Sequence, residues 1–413
     1  TFIFSLNLNL IMNKYLLDNG LTVLEEKKNS DSVTLQLSIK VGSNQEKEGI
    51  RGISHFIEHM LFEGTKKRKN AKEISSEIES LGGEINAYTN NVRTCFYIKV
   101  PKKHYLKAFD ILSDIIKNSL FRKEDIEKER KVILKEINIF NDDPRHFQWI
   151  LFEKNLFSEH PSKFPAYGEI RDVKKMTQKQ ILGFYNSHYL ANNTILSVIG
   201  NVPSPKKLVV RYFSDFRKGK PPIMSKINEP KQKKPKIAKI KRKMLNSYLV
   251  FGYKTLPRVH KDAYVLDIIE AILGKGQSGK IFDEIRNKRG LAYEVGVHHE
   301  SSTDYGFFAV YLSAHKKNIP LIKKLILKEL ASLSEVSNRD LKEAIGYTEG
   351  KYILDNEDTH NIADSLAFWE QINDANLMKN YLKNIRKVSK KDISRVANKY
   401  LTKNYILAII EQE

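Results

Sequence analysis

His55-Phe-Ile-Glu58-His59 places two imidazoles and a carboxylate at offsets i, i+3 and i+4. In a helix those positions share one face, so all three side chains point into the same volume. Two imidazoles so spaced can chelate a zinc ion, and a carboxylate beside them can take a proton from a water held there. A catalytic zinc takes three protein ligands and keeps one position open. A third ligand must therefore come from elsewhere. The stretch from Lys123 to Phe140 reads as a helix with an apolar stripe through Ile126, Ile133, Ile137 and Phe140, and Glu129 and Glu136 fall close to that stripe at seven-residue spacing. A carboxylate there is costly unless something positive meets it. The alternative is that both edge the solvated face of a highly charged helix.

The order His-x-x-Glu-His inverts the His-Glu-x-x-His zinc-peptidase motif, which is the inverzincin arrangement. The flanks extend the match. Gly52-Ile-Ser before the motif, and Met60-Leu-Phe-Glu-Gly64-Thr65 after it, resemble the signature G-x-x-H-F-x-E-H-M-x-F-x-G-T of the M16 (pitrilysin-like) metallopeptidases. That resemblance implies one Zn²⁺ per chain held by His55, His59 and Glu136, with Glu58 as the proton-transfer residue. Glu129 becomes a supporting carboxylate.

Two further segments resemble the family. Phe282-Asp-Glu-Ile-Arg286-Asn-Lys-Arg-Gly290-Leu-Ala-Tyr293 is similar to the stretch whose Arg and Tyr, seven residues apart, reach toward the bound substrate. The resemblance implies Arg286 and Tyr293 as donors to an oxyanion, a role suited to a guanidinium fork and a phenol. Read from residue types alone, the same stretch is a solvated basic helix end running into a strand. Gly82-Gly-Glu-Ile-Asn86-Ala87-Tyr-Thr89 leads into an alternating run, Arg93 to Val100, of half-buried strand character. In M16 enzymes an N-A-x-T strand is the sheet edge on which a peptide adds, which implies Asn86 and Ala87 as substrate-binding positions. Edge strands capture main chain and not sequence. An ordinary hairpin strand is the other reading.

Composition sets the outer limits. The chain has 413 residues, 41% of them hydrophobic, enough for ample core and for two or three domains. A net charge of +21 raises nucleic-acid binding, but the lysines are scattered through helices beside glutamates, with no helix-turn-helix or RNP aromatic box. Nucleic acid is therefore set aside, and the basic surface is read as able to steer acidic peptides. Cys95 is alone, which excludes an intramolecular disulfide and a thiolate metal cluster. No apolar run approaches a membrane span of about 20 residues, so no membrane partner is expected. The remaining histidines lack partners at ligand spacing. His298 and His299 adjoin on a strand, so they point to opposite faces.

The organisation follows. Met12 reads as the natural start, residues 1–11 as an upstream non-native extension, and the setting as a bacterial-type cytoplasm. Residues 12–217 are read as the catalytic zinc-binding domain, 218–240 as a Pro- and Lys-rich linker, and 241–413 as a second domain without the metal motif. The halves look like diverged repeats: Val33–Val41 parallels Ser247–Tyr253, and Met176–Ile199 parallels Val388–Ile410. The second copy's first long helix, Asp262–Leu273, carries no His. Strands and helices mix without strict alternation, which predicts α+β domains, each a mostly antiparallel sheet with helices on one face, the M16/LuxS-like metallohydrolase architecture. The length is similar to the short M16 class that includes mitochondrial processing peptidase subunits and bacterial zinc peptidases. That resemblance implies a zinc endopeptidase on peptides or unfolded segments, paired as a homodimer or an M16 heterodimer around a clamshell chamber. The alternative is a non-catalytic scaffold subunit of such a heterodimer.

Overall fold

The computed structural model describes residues 12–223 and 227–413, and the expected extension, 1–11, lies outside them. The chain forms two compact units, each assembled from separate stretches. Of the described residues, the first takes those up to Ile137, those from Pro165 to 223 and Asp355–Asn380, and the second takes Asn138–Phe164, those from 227 to Leu354 and Tyr381–Glu413. A helix is thus traded each way. Pro144–Leu156, from the N-terminal half, belongs to the second unit, and Thr359–Ile372, from the C-terminal half, belongs to the first.

The first unit is built on a six-stranded sheet of β1 (Met12–Leu16), β2 (Thr22–Glu26), β3 (Ser32–Ile39), β4 (Glu84–Thr89), β5 (Thr94–Pro101) and β6 (Thr194–Ile199), ordered β1-β2-β6-β3-β5-β4. Only β2 and β6 pair in parallel; the other neighbours are antiparallel. Along β3, Val33, Leu35, Leu37 and Ile39 enter one core with Phe109 and Leu112 of the helix Tyr105–Asn118. The alternate residues Thr34, Gln36 and Ser38 face the other way and are equally buried.

Helices were expected on one face of this sheet, yet the second face is covered too, by the helix Thr359–Ile372. Thr34 and Thr359 share a hydroxyl hydrogen bond (2.8 Å), the Gln36 amide donates to Asp364 (2.9 Å), and the Ser197 hydroxyl donates to the Ala363 carbonyl (3.0 Å). Each of these groups, left buried without a partner, would cost about 1–3 kcal/mol. A polar row at period two ordinarily signals a solvated face. Here it signals a polar seam.

The second unit repeats the plan with β7 (Lys236–Arg242), β8 (Ser247–Lys254), β9 (Ala292–Ser301), β10 (Gly306–Ala314) and β11 (Ile406–Gln412), ordered β7-β11-β8-β10-β9. Leu249, Phe251 and Tyr253 of β8 pack against the helix Asp262–Gly274. Val250, with Ile406, Ala408 and Ile410, packs on the opposite face against Leu151, Phe152 and Leu156. Strand β7 begins at Lys236, inside the tract read as linker, and pairs in parallel with β11. It is an edge strand, where alternating lysines are tolerated and discourage further pairing. Among the described residues no helix is long and apolar enough to cross a membrane.

Candidate metal centre

The motif helix spans Ile53–Met60. Ile53, Phe56, Ile57 and Met60 are all fully buried, and at i, i+3, i+4 and i+7 they form one apolar face. Burying each such side chain contributes about 1.5–3 kcal/mol. The same eight residues leave His55, Glu58 and His59 on the opposite face, half-buried. Packing of the apolar face therefore aims the chemistry.

Two features fix where this helix begins. Gly52 has φ +95°, and a Cβ placed there would lie 2.6 Å from the Tyr167 carbonyl oxygen. Only glycine suits that position. Glu46, 4% exposed, accepts hydrogen bonds from the Gly52 N–H (2.7 Å) and the Ser54 N–H (2.9 Å). Its carboxylate thereby meets two donors that the first turn leaves over. Burial pushes the Glu46 pKa up to about 7, against the pull of those hydrogen bonds.

The glutamate helix runs Lys123–Asp142, with Glu124 and Asp125 in its first turn, where acidic residues oppose the helix dipole. Ile126, Ile133 and Ile137 are buried along it together with Glu129. The expected stripe is present, and Glu129 and Glu136 sit on its flank. His59 Nε2 lies 3.3 Å from His55 Nε2 and 3.4 Å from Glu136 Oε2, and His55 Nε2 lies 3.8 Å from the same oxygen. A tetrahedral ion bound at roughly 2.0–2.1 Å sets its ligand atoms about 3.3–3.5 Å apart. The residues present fit zinc. Three ligand-capable atoms thus face one another, and the two imidazole rings meet edge to face.

Glu129 does not join that triangle. Its Oε2 lies 3.0 Å from His59 Nδ1, and Lys128 stands 3.4 Å from its other oxygen. Burial works to raise the Glu129 pKa, but the His59 hydrogen bond and the His59 and Lys128 charges outweigh it and hold the carboxyl below its ordinary value. Burial likewise works to lower the pKa of His59, and the hydrogen bond to Glu129 with the charges of Glu136, Glu58 and Glu129 raises it overall. Burial and the neighbouring His59 bring His55 down to about 3, a neutral imidazole.

Glu58 carries a partner that sequence reasoning quoted but gave no role. The Thr89 hydroxyl, at the end of β4, donates a short hydrogen bond to Glu58 Oε2. Burial pushes Glu58 up to about 7, with Thr89 and then the His59 charge pulling the other way. The signal available was the T of the N-A-x-T run, which places a hydroxyl one strand end away from the motif helix. Glu46 was also missed, because its role is tertiary and no local pattern marks it.

Asn86 and Ala87 lie on β4, which among the described residues is the edge of its sheet and pairs only with β5. Arg286 and Tyr293 lie in the second unit. Arg286 sits in a π-helical turn, Asp283–Asn287, with its guanidinium carbon 4.9 Å from the Phe282 ring centre and 4.8 Å from that of Tyr293. Tyr293 is the second residue of the edge strand β9 and is 79% exposed. The expected pair is therefore in contact.

Residues 21–166 match the family model described as Insulinase (Peptidase family M16), and residues 175–346 match that of the Peptidase M16 inactive domain. The chain is 35% identical over 328 residues to a protein of Rickettsia felis named an uncharacterized zinc protease, with 78% of each chain covered. It is 30% identical over 410 residues to a Streptomyces coelicolor protein of the same description, with 95% of this chain and 88% of the relative covered. In fold it is similar to the crystal structure of a protease from Helicobacter pylori, with TM-score 0.92 at 24% identity, covering 97% of this chain and 100% of that one.

Proposed function

Because the chain belongs to the M16 peptidase family, we propose that it is a zinc-dependent endopeptidase that hydrolyses peptides or unfolded protein segments. The observation that carries this reading is the triangle of His55 Nε2, His59 Nε2 and Glu136 Oε2, with Glu58 beside it on the same helix face. One zinc per chain held there supplies a Lewis acid that polarises a peptide carbonyl and eases deprotonation of a water.

The residues divide the remaining work. Glu58 takes the proton of the attacking water and later returns one to the leaving amine. Thr89 fixes the rotamer of Glu58 through Oε2. Glu129 orients His59 from behind. The main chain of β4 at Asn86 and Ala87 receives the peptide as an added strand, and Arg286 and Tyr293 donate to the developing oxyanion. In the arrangement the family resemblance implies, the chain works as one of a pair, with a second copy or a related M16 chain.

The alternative of a non-catalytic subunit is the weaker reading, because His55, Glu58, His59 and Glu136 are all present and converge. The test couples metal analysis to cleavage of an unstructured peptide, by the chain alone and after pairing with a related M16 chain from the same source. Zinc with cleavage supports the proposal. Stoichiometric zinc without cleavage in either arm would transfer the chain to the non-catalytic class.

A further inference from the structure

The hairpin of β4 and β5 closes at Asn90–Arg93, where the Asn90 N–H donates to the Arg93 carbonyl (3.0 Å) and the Asn90 side chain accepts from the Val92 and Arg93 N–H groups (2.9 Å each). Just before this turn, adjacent residues of β4 make opposite attachments. Thr89 donates to Glu58 on the motif helix. Tyr88, pointing to the other face as strand neighbours do, donates its hydroxyl to Asp364 Oδ1 on the helix Thr359–Ile372. All of these residues belong to the first unit.

The Tyr88–Asp364 contact is the centre of a larger set. Arg93 Nε donates to the Tyr88 hydroxyl at 2.9 Å and Arg93 Nη2 to Asp364 Oδ2 at 2.7 Å, while the Gln36 amide donates to Asp364 Oδ1 at 2.9 Å. Two turns further along the same helix, the Gln371 amide donates to the Val92 carbonyl (2.7 Å), so the hairpin turn is tied to the helix as well. Arg93 is buried, its guanidinium carbon 5.7 Å from the Tyr88 ring centre and 5.3 Å from that of Phe368. A buried ion pair is a poor source of stability, because desolvating both charges costs about as much as their attraction returns. What a guanidinium fork on a carboxylate does supply is a fixed geometry.

β4 has need of it. Among the described residues it has one strand neighbour, and a two-stranded hairpin is barely stable by itself in water. A rotation of β4 about its own axis that lifted Thr89 from Glu58 would also draw the Tyr88 hydroxyl off Asp364, because the two side chains leave adjacent residues in opposite directions. The strand is held by both faces at once.

We propose that Tyr88 and Asp364 are positioning residues for peptide hydrolysis: they pin the face of β4 turned away from the motif helix, and thereby hold the Thr89 hydroxyl on Glu58. The proposal rests on the peptidase reading above. A helix encoded near the C-terminus thus sets the placement of the proton-transfer carboxylate, without a side chain of its own reaching it.

The test uses the full-length, zinc-loaded chain and an unstructured peptide, with Tyr88→Phe, Thr89→Val and the double variant compared by kcat, KM, zinc content and Tm. Tyr88→Phe keeps the ring and changes no charge. It is expected to keep stoichiometric zinc and to lower kcat by about 10-fold, less than the roughly 10²-fold that a 1 Å misplacement can cost, with KM within about twofold of the parent. In the Thr89→Val background the same change is expected to cost less than about twofold, since the group it positions is gone; independent effects would instead multiply. Asp364→Asn, which keeps the shape of the side chain and removes its charge, is expected to show the same coupled fall, and should it fail to fold, the Tyr88→Phe cycle decides by itself. Unchanged kcat in Tyr88→Phe, a loss expressed in KM alone, an equal fall in both backgrounds, or a fall that comes with loss of zinc or of the fold would each overturn the assignment and leave the network a structural one. A zinc-loaded parent that cleaves nothing is a different result, seen before any variant is made: it removes the peptidase reading, and this proposal with it.

Discussion

Glu129 holds His59 by its Nδ1, at 3.0 Å. An ionised carboxylate can only accept, so the proton of the neutral ring sits on Nδ1, and the Nε2 lone pair is turned toward His55 and Glu136. Glu129 is thus a determinant of which tautomer the metal would meet.

The ranking of the two glutamates follows from that geometry. Glu136→Ala, like His55→Ala or His59→Ala, is expected to abolish stoichiometric zinc. Glu129→Ala is expected to weaken zinc affinity by about 10- to 100-fold, the usual scale for a group behind a ligand. Metal titration of the four variants gives the order, and stronger loss from Glu129→Ala than from Glu136→Ala would exchange their roles.

If Glu58 moves protons without binding metal, Glu58→Gln is expected to keep zinc near the wild-type level while lowering cleavage by roughly 10² to 10⁴. Thr89→Val removes the donor to Glu58 and keeps the shape of the side chain. A hydrogen bond to a charged group contributes about 1.5–3 kcal/mol, so kcat is expected to fall by roughly 10- to 100-fold, with Thr89→Ser restoring most of it. Zinc loss in Glu58→Gln would make Glu58 a ligand.

Tyr293→Phe keeps the ring on which Arg286 rests and removes one donor. If that hydroxyl serves the oxyanion, kcat is expected to drop by about 10² to 10³, with zinc content and Tm nearly unchanged. A kinetically silent Tyr293→Phe would withdraw the second unit's edge strand from the reaction.

Glu46 sets a pH dependence of stability. In the folded protein it keeps its proton up to about pH 7, whereas its ordinary value is 4.5. Between those values the folded state binds more protons than the unfolded one. Stability contributed by this group therefore falls as pH rises through that window, by at most about 1.4 kcal/mol per pH unit. Chemical denaturation at several pH values is expected to show a shallower fall in Glu46→Gln. Parallel curves for the two proteins would show that Glu46 is ionised throughout.

The motif helix was legible because its information is local: an apolar quartet and a His-Glu-His trio interleave within eight residues, and period alone separates them. Glu129 and Glu136 were legible for the same reason, as a pair on one helical flank. The strands β3 and β8 were matched as repeats by their apolar content. What stayed hidden is pairing over distance. Thr34, Gln36 and Ser38 look like a solvated row until Thr359 and Asp364, more than 300 residues on, are placed against them. His299 was correctly set on the opposite face from His298, but nothing local reveals that its face holds Asp267 and Arg258. The strand starting at Lys236 was masked by the prolines and lysines around it, since an edge strand asks little of its own sequence.

The trade of helices has a consequence for how the protein is made. Domains generally fold in the order in which they leave the ribosome, yet the sheet that carries the motif helix needs Thr359–Ile372 to satisfy Thr34, Gln36 and Ser197. The unit that carries His55, His59 and Glu136, although mostly encoded first, is completed only once most of the chain has been synthesised. Until then the nascent chain exposes an open polar seam along β3 and β6.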